Sequence, residues 1–125
     1  MKGSILLIDD SAALAESLAS ILRMEDYEVT IVNNGLKALS YVQGQTPDLI
    51  VTDLVMPEMN GFEFIRRLRR DPRFLTLPII ALSADTRDER AKEGRDAGAN
   101  LFMTKPFDEN ILIEAIEKLI RHESR

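Results

Sequence analysis

Five short apolar runs punctuate the chain, at residues 4–8, 28–32, 49–52, 78–82 and 100–103. Four are nearly continuous in apolar side chains, the pattern of strands covered on both faces in a parallel sheet. The run Glu28-Val29-Thr30-Ile31-Val32 alternates instead and predicts an edge strand with one wetter face. Between the runs, apolar residues recur at helical spacing: Leu14, Leu18, Ile21 and Leu22, then Phe62, Ile65 and Leu68, then Leu112, Ala115, Ile116 and Leu119. Start and stop signals agree with these helices. Asn60 precedes Glu63, and Thr86 precedes Glu89, each by three positions, the capping-box spacing. Asp108 is placed to cap the last helix, with Arg121 and His122 near its end, and Gly98 marks the stop of the fourth.

The pattern is strand then helix, five times over, at about 25 residues per unit. Alternating elements imply a parallel α/β sheet with right-handed crossovers. Five strands are too few for a closed eight-stranded barrel, so an open, doubly wound sheet remains. A single domain over residues 1–125, with no effector domain, is the expectation.

Composition removes several function classes. There are no cysteines and one histidine, His122, which disfavours thiolate or multi-histidine metal sites and a Ser-His-Asp triad. A net charge of −5 argues against direct binding of nucleic acid. The arginines at 66, 67, 69 and 70 therefore read as a solvated helix face, with Glu63 four residues before Arg67 for ion pairing. No apolar run approaches a membrane span and no signal peptide is visible, so no membrane association and a cytoplasmic location are expected.

Open α/β sheets bind ligands beyond the carboxyl ends of their strands. Asp9 and Asp10 follow the first run, Asp53 the third, Ser83 the fourth and Lys105 the fifth. Singly, each has an ordinary explanation: a helix cap for the acidic pair, a turn for Ser83, a solvated charge for Lys105. Asp53 has less structural use at the end of a strongly apolar strand. Three carboxylates at about 5 Å repel by on the order of 3 kcal/mol per pair at an effective dielectric near 20. Lys105 offsets part of this, and a hard divalent cation such as Mg²⁺ would offset the rest. Carboxylate, Mg²⁺, lysine and hydroxyl are the parts of a phosphoryl-transfer site, in which an aspartate can be the nucleophile.

At these residues the chain resembles the receiver domain of bacterial two-component response regulators, of the chemotaxis-receiver type. The resemblance rests on Asp9-Asp10, on the segment from Asp53 through Met56-Pro57 to Gly61, on Leu82-Ser83-Ala84 and on Lys105-Pro106-Phe107. It implies a flavodoxin-like fold with strand order 2-1-3-4-5 and five helices on two faces. It implies that Asp53 is the phosphoacceptor. Asp10, Asp53 and the backbone carbonyl of Val55 would bind Mg²⁺ directly, and Asp9 mainly through water. Lys105 would pair with the acceptor, Ser83 would bond a phosphoryl oxygen, and the bond before Pro106 would be cis. Phe102 stands at the aromatic switch position, without the hydroxyl of the commoner Tyr.

The implied function is a phosphorylation-activated switch. A sensor histidine kinase or histidine phosphotransfer protein is the donor, and a downstream protein or effector domain is the receiver of the signal. The domain would catalyse its own phosphorylation and dephosphorylation rather than act as an enzyme on a separate substrate.

Three rival readings fit less well. A haloacid-dehalogenase-type phosphatase needs Asp-x-Asp where this chain has Asp9-Asp10-Ser11, and a nucleotide-binding module needs a glycine-rich loop there. A degenerate receiver would have lost part of the set of acids, hydroxyl and lysine.

Two further expectations concern the last third of the chain. Residues 88–97 hold no large apolar side chain, which predicts a marginal fourth helix suited to switching, or simply a solvated one. Ile111, Ile113 and Ile120 widen the apolar stripe of the last helix beyond its core face. That surplus suggests a partner or dimer face on the fourth helix, fifth strand and last helix, unless flanking elements cover it.

Overall fold

The computed structural model describes residues 2–54, 59–83 and 88–123, with backbone alone at 88–91, 94, 122 and 123. Strands β1 (Gly3–Ile8), β2 (Tyr27–Val32), β3 (Leu49–Asp53), β4 (Ile79–Ser83) and β5 (Leu101–Thr104) alternate with helices α1 (Ala12–Met24), α2 (Gly35–Gly44), α3 (Gly61–Arg69), α4 (Asp88–Ala97) and α5 (Glu109–Glu123). A short 3-10 helix, Pro72–Phe74, lies between α3 and β4. The strands form one parallel sheet in the order β2-β1-β3-β4-β5, in agreement with the alternation and the resemblance.

The continuous apolar runs have a direct cause. Successive strand residues point to opposite faces, and both faces are covered. Leu6, Ile8, Ile50, Ile79 and Ala81 pack with Ala38 and Val42 of α2 and Phe64, Ile65 and Leu68 of α3. Ile5, Leu7, Val51, Ile80 and Leu82 pack on the other face with Ala15, Ala19 and Leu22 of α1 and Leu112 and Ile116 of α5. Both outer strands are wetter. β2 is the expected edge, and β5 is the second, its four residues half-buried because no strand follows it outward.

Caps decide where the helices begin. Asn60 Oδ1 accepts from Glu63 N at 2.9 Å, and Asp108 Oδ1 accepts from Asn110 N at 2.8 Å. The Thr86–Glu89 spacing lies outside the described residues, whereas Gly98 does end α4, at a φ of 121° that favours glycine. α2 turns Ala38 and Val42 to the core, and its start is set by Asn34, whose Oδ1 accepts from Lys37 N at 2.8 Å. Asn34→Ala is expected to lower stability by about 1 kcal/mol in urea unfolding, the usual cost of a lost N-cap. An unchanged midpoint would show that packing alone holds that turn.

The wide stripe of α5 is covered in part. Ile113 and Ile120 pack against the core shared with α1, and Ile111 stays 56% exposed. No described helix is long and apolar enough to cross a membrane.

Candidate functional site

Asp53 and Ser83 are the last residues of β3 and β4, Asp9 and Asp10 follow β1, and Lys105 follows β5. β1, β3, β4 and β5 are consecutive neighbours in the sheet, so these side chains leave one edge together. Backbone bonds lock their bases. Asp9 N donates to Val32 O at 3.1 Å, Leu54 N to Leu82 O at 3.1 Å, and Lys105 N to Ser83 O at 2.7 Å. The Lys105–Pro106 peptide bond is cis.

Carboxylate oxygens of Asp9, Asp10 and Asp53 lie within 4.8 Å of one another. Lys105 Nζ donates to Asp53 Oδ2 at 3.2 Å and stands 3.8 Å from Asp9 Oδ2. Asp9 and Ser83 are buried, Asp53 is half-buried and Asp10 is exposed. Phe102 packs into the core on the α2–α3 face, opposite Ala81 and two residues short of the Ser83–Thr104 pair. Val55 lies outside the described residues.

The acidic pair is not the helix cap. Ser11 Oγ accepts from Leu14 N at 3.4 Å, and Asp9 Oδ1 accepts from Ser11 N at 2.9 Å. The hydroxyl thus starts α1, and both carboxylates stay at the cleft. Two contributors are not evident from the sequence. Buried Thr52 donates its hydroxyl to Asp53 O at 2.8 Å and braces the peptide carrying that carboxylate. Arg69 is no solvated charge: it reaches Phe74 O at 2.6 Å and Gly98 O at 2.9 Å. Its spacing of seven from Phe62 and four from Ile65, on the buried stripe, is the one signal of this in the sequence. Arg67 does pair with Glu63 at 3.2 Å, as the spacing predicts.

Three carboxylates against one ammonium leave two negative charges when all are ionised, the charge a divalent cation cancels. Hard oxygen donors, clustered and partly dry, suit Mg²⁺. The repulsion and burial are felt at Asp9. Desolvation raises its pKa, helped by Asp53 and Asp10 and opposed by the Ser11 N–H and Lys105. A carboxyl with a raised folded pKa binds more protons in the native state. Its contribution to stability therefore falls as pH rises from the ordinary carboxylate range through the raised value. Without divalent cations, Asp9→Asn is expected to stabilise the protein by about 1 kcal/mol at pH 7, with the gain shrinking toward pH 4. Mg²⁺ should raise the melting temperature of the wild type more than that of the variant. A variant less stable than wild type in chelator would contradict this account.

An open, doubly wound sheet with clustered carboxylates and a lysine at its carboxyl edge is suited to hold a divalent cation beside phosphoryl oxygens. Residues 5–117 match the family described as the response regulator receiver domain, and the chain belongs to that family. It is 33% identical over 118 residues to response regulator Rre1 of Synechocystis, covering 94% of this chain and 51% of Rre1. The chain thus spans about half the length of curated relatives such as Rre1 and the Synechocystis regulator RpaA. A crystal structure of a response regulator from Chloroflexus aurantiacus superposes with a TM-score of 0.91 at 31% identity, over 95% of this chain and 98% of that one. The receiver domain of sensor histidine kinase PA1611 from Pseudomonas aeruginosa superposes with a TM-score of 0.87 at 29% identity, over 94% and 97%, and holds a magnesium ion in its active-site cleft. Receiver domains of this kind are signalling domains of two-component systems rather than conventional enzymes.

Proposed function

We propose that this chain is a phosphorylation-activated switch in a two-component phosphorelay, with Asp53 as phosphoacceptor. The observation that carries the reading is Lys105 Nζ at 3.2 Å from Asp53 Oδ2, beside two further carboxylates. A carboxylate oxygen of Asp53 attacks phosphorus, and the bond to the donor's leaving group breaks: nitrogen of a phosphohistidine, or oxygen of acetyl phosphate. Lys105 offsets the negative charge that accumulates on the phosphoryl oxygens, and Asp10 and Asp53, with Asp9 through water, would hold the Mg²⁺ that offsets the rest. Val55, through its carbonyl, belongs to the same proposed ligand set. Bound Mg²⁺ supplies charge neutralisation and orients the incoming phosphoryl oxygens.

The product is a signal. Ser83 donates its hydroxyl to a phosphoryl oxygen, and Phe102 repacks in the space Ser83 leaves. The shift biases the surface of α4, β5 and α5, which a downstream protein, an effector domain or a second copy reads. The donor is a sensor histidine kinase or a histidine phosphotransfer protein, and the site of action is the cytoplasm. The domain takes part in its own phosphorylation and dephosphorylation and makes no contact with nucleic acid or membrane. Residues 1–125 act as a single receiver unit.

Incubation with acetyl phosphate and Mg²⁺ is expected to give an adduct of about 80 Da by intact mass, and none when EDTA replaces Mg²⁺. A wild-type protein that gains no mass with Mg²⁺ overturns the reading.

A further inference from the structure

The helix expected to carry the signal is fastened at one end. α4 leaves the sheet's carboxyl edge, beyond Ser83, and runs back to the opposite edge, where Gly98 turns the chain into β5. There Arg69 of α3 lies across the turn. Its Nε and Nη2 donate to Gly98 O at 3.1 and 2.9 Å, its Nη2 also to Asn100 Oδ1 at 2.9 Å, and its Nη1 to Phe74 O at 2.6 Å. Asn100 Oδ1 also accepts from Ile79 N at 2.9 Å, and Asn100 N donates to Ile79 O at 2.8 Å. One guanidinium thereby ties α3, the 3-10 helix and the turn after α4 together, and Asn100 joins the first residue of β4 to the same knot. A rigid, planar fork with several donors suits that task, and a lysine ammonium could not reach the same carbonyls together.

The knot has a matched seat. A Cβ on Gly98 would stand 2.9 Å from Arg69 Cγ, so the bare glycine is what allows the arginine stem to cross. Ala97, beside it, is buried, and Glu93, one turn earlier, meets Arg66 at 3.4 Å.

We infer that Arg69 is a positioning residue that makes α4 a lever hinged at Gly98: the signal from Ser83 moves its amino-terminal end while the carboxyl-terminal end stays in place. This rests on the phosphoacceptor reading and adds where the motion stops. A helix hinged at its far end swings and cannot slide in register, so the surface presented to a partner changes most near the phosphorylation site.

The test compares backbone amide shifts of the full chain before and after addition of Mg²⁺ and beryllofluoride, a phosphoryl analogue. In the wild type, changes are expected to be large at Ser83, to fade along α4 and to vanish within error at Gly98 and Asn100. In Arg69→Met, they should extend through Gly98 and Asn100 to Leu101. Amide exchange at Gly98 and Asn100 should also become about tenfold faster relative to Leu6 and Leu7 of β1, as for loss of hydrogen bonds to a charged group. Wild-type changes at Gly98 and Asn100 as large as at Ser83 overturn the hinge, whatever the variant does. A variant confined like the wild type overturns the role of Arg69. If Asp53, Ser83 and Lys105 do not respond at all, the phosphoacceptor reading fails and the hinge with it, a result distinct from failure of the hinge alone.

Discussion

Asp53→Asn is expected to gain no mass from acetyl phosphate and Mg²⁺ under conditions that modify the wild type. The substitution keeps shape and volume and removes one anionic oxygen. A neutral amide is a far weaker nucleophile, and it takes one hard ligand from the cation site. The rate of adduct formation should therefore fall by at least ~1,000-fold, on the scale of losing a reaction's nucleophile. The fold should survive, because Asp53 sits where three carboxylates crowd, with the ammonium of Lys105 at 3.2 Å. Removing a charge there relieves repulsion, so the variant should melt at or above the wild-type temperature in chelator. An Asn variant modified at the wild-type rate would place the acceptor at another residue. A variant that is inactive and unfolded would contradict the electrostatic account of the cleft.

Gly61→Ala should have the largest effect on stability, with a cost of about 3 kcal/mol in urea unfolding. A Cβ at position 61 would lie 2.5 Å from Asp53 O and 2.8 Å from Leu54 Cα. Those atoms are backbone at the end of a central strand, where no rotamer change gives relief. Gly61 N also donates to Leu54 O at 3.0 Å, which closes the loop between β3 and α3. Strain would fall on the peptide that carries Asp53, so adduct formation should slow together with the loss of stability. A variant within about 0.5 kcal/mol of wild type would show that the loop yields and that glycine is not needed there for close approach.

The carboxylate cluster is legible in the amino-acid sequence because chemistry-bearing residues end four of the five apolar runs. Strand ends in an open parallel sheet share an edge, and that rule converts distant positions such as 9, 53 and 105 into neighbours. The cap of α1 is less legible. Asp9, Asp10 and Ser11 are all good cap residues by type, and the choice falls to Ser11 because the path of the chain leaving β1 turns Asp9 back onto the cleft. The role of Arg69 is hidden for a similar reason. Its neighbours Arg66, Arg67 and Arg70 are exposed, and composition cannot tell an arginine facing water from one facing carbonyl oxygens.

The apolar surplus on α5 follows the same logic. Periodicity shows that Ile111, Ile113 and Ile120 exceed one core face, yet only the tertiary packing of α5 decides that Ile113 and Ile120 are partly covered and Ile111 is not.

Patterning alone determines the five strands, their alternation with helices and the edge at which the polar residues gather, because burial on two sheet faces imposes a period that short-range sequence records, while the short helix Pro72–Phe74 leaves no such mark. Distances, caps, clamps and close approaches belong to the tertiary structure. They depend on where the chain runs after each strand, and that path is settled by contacts between residues far apart in sequence, such as Gly61 against Asp53 and Arg69 against Gly98.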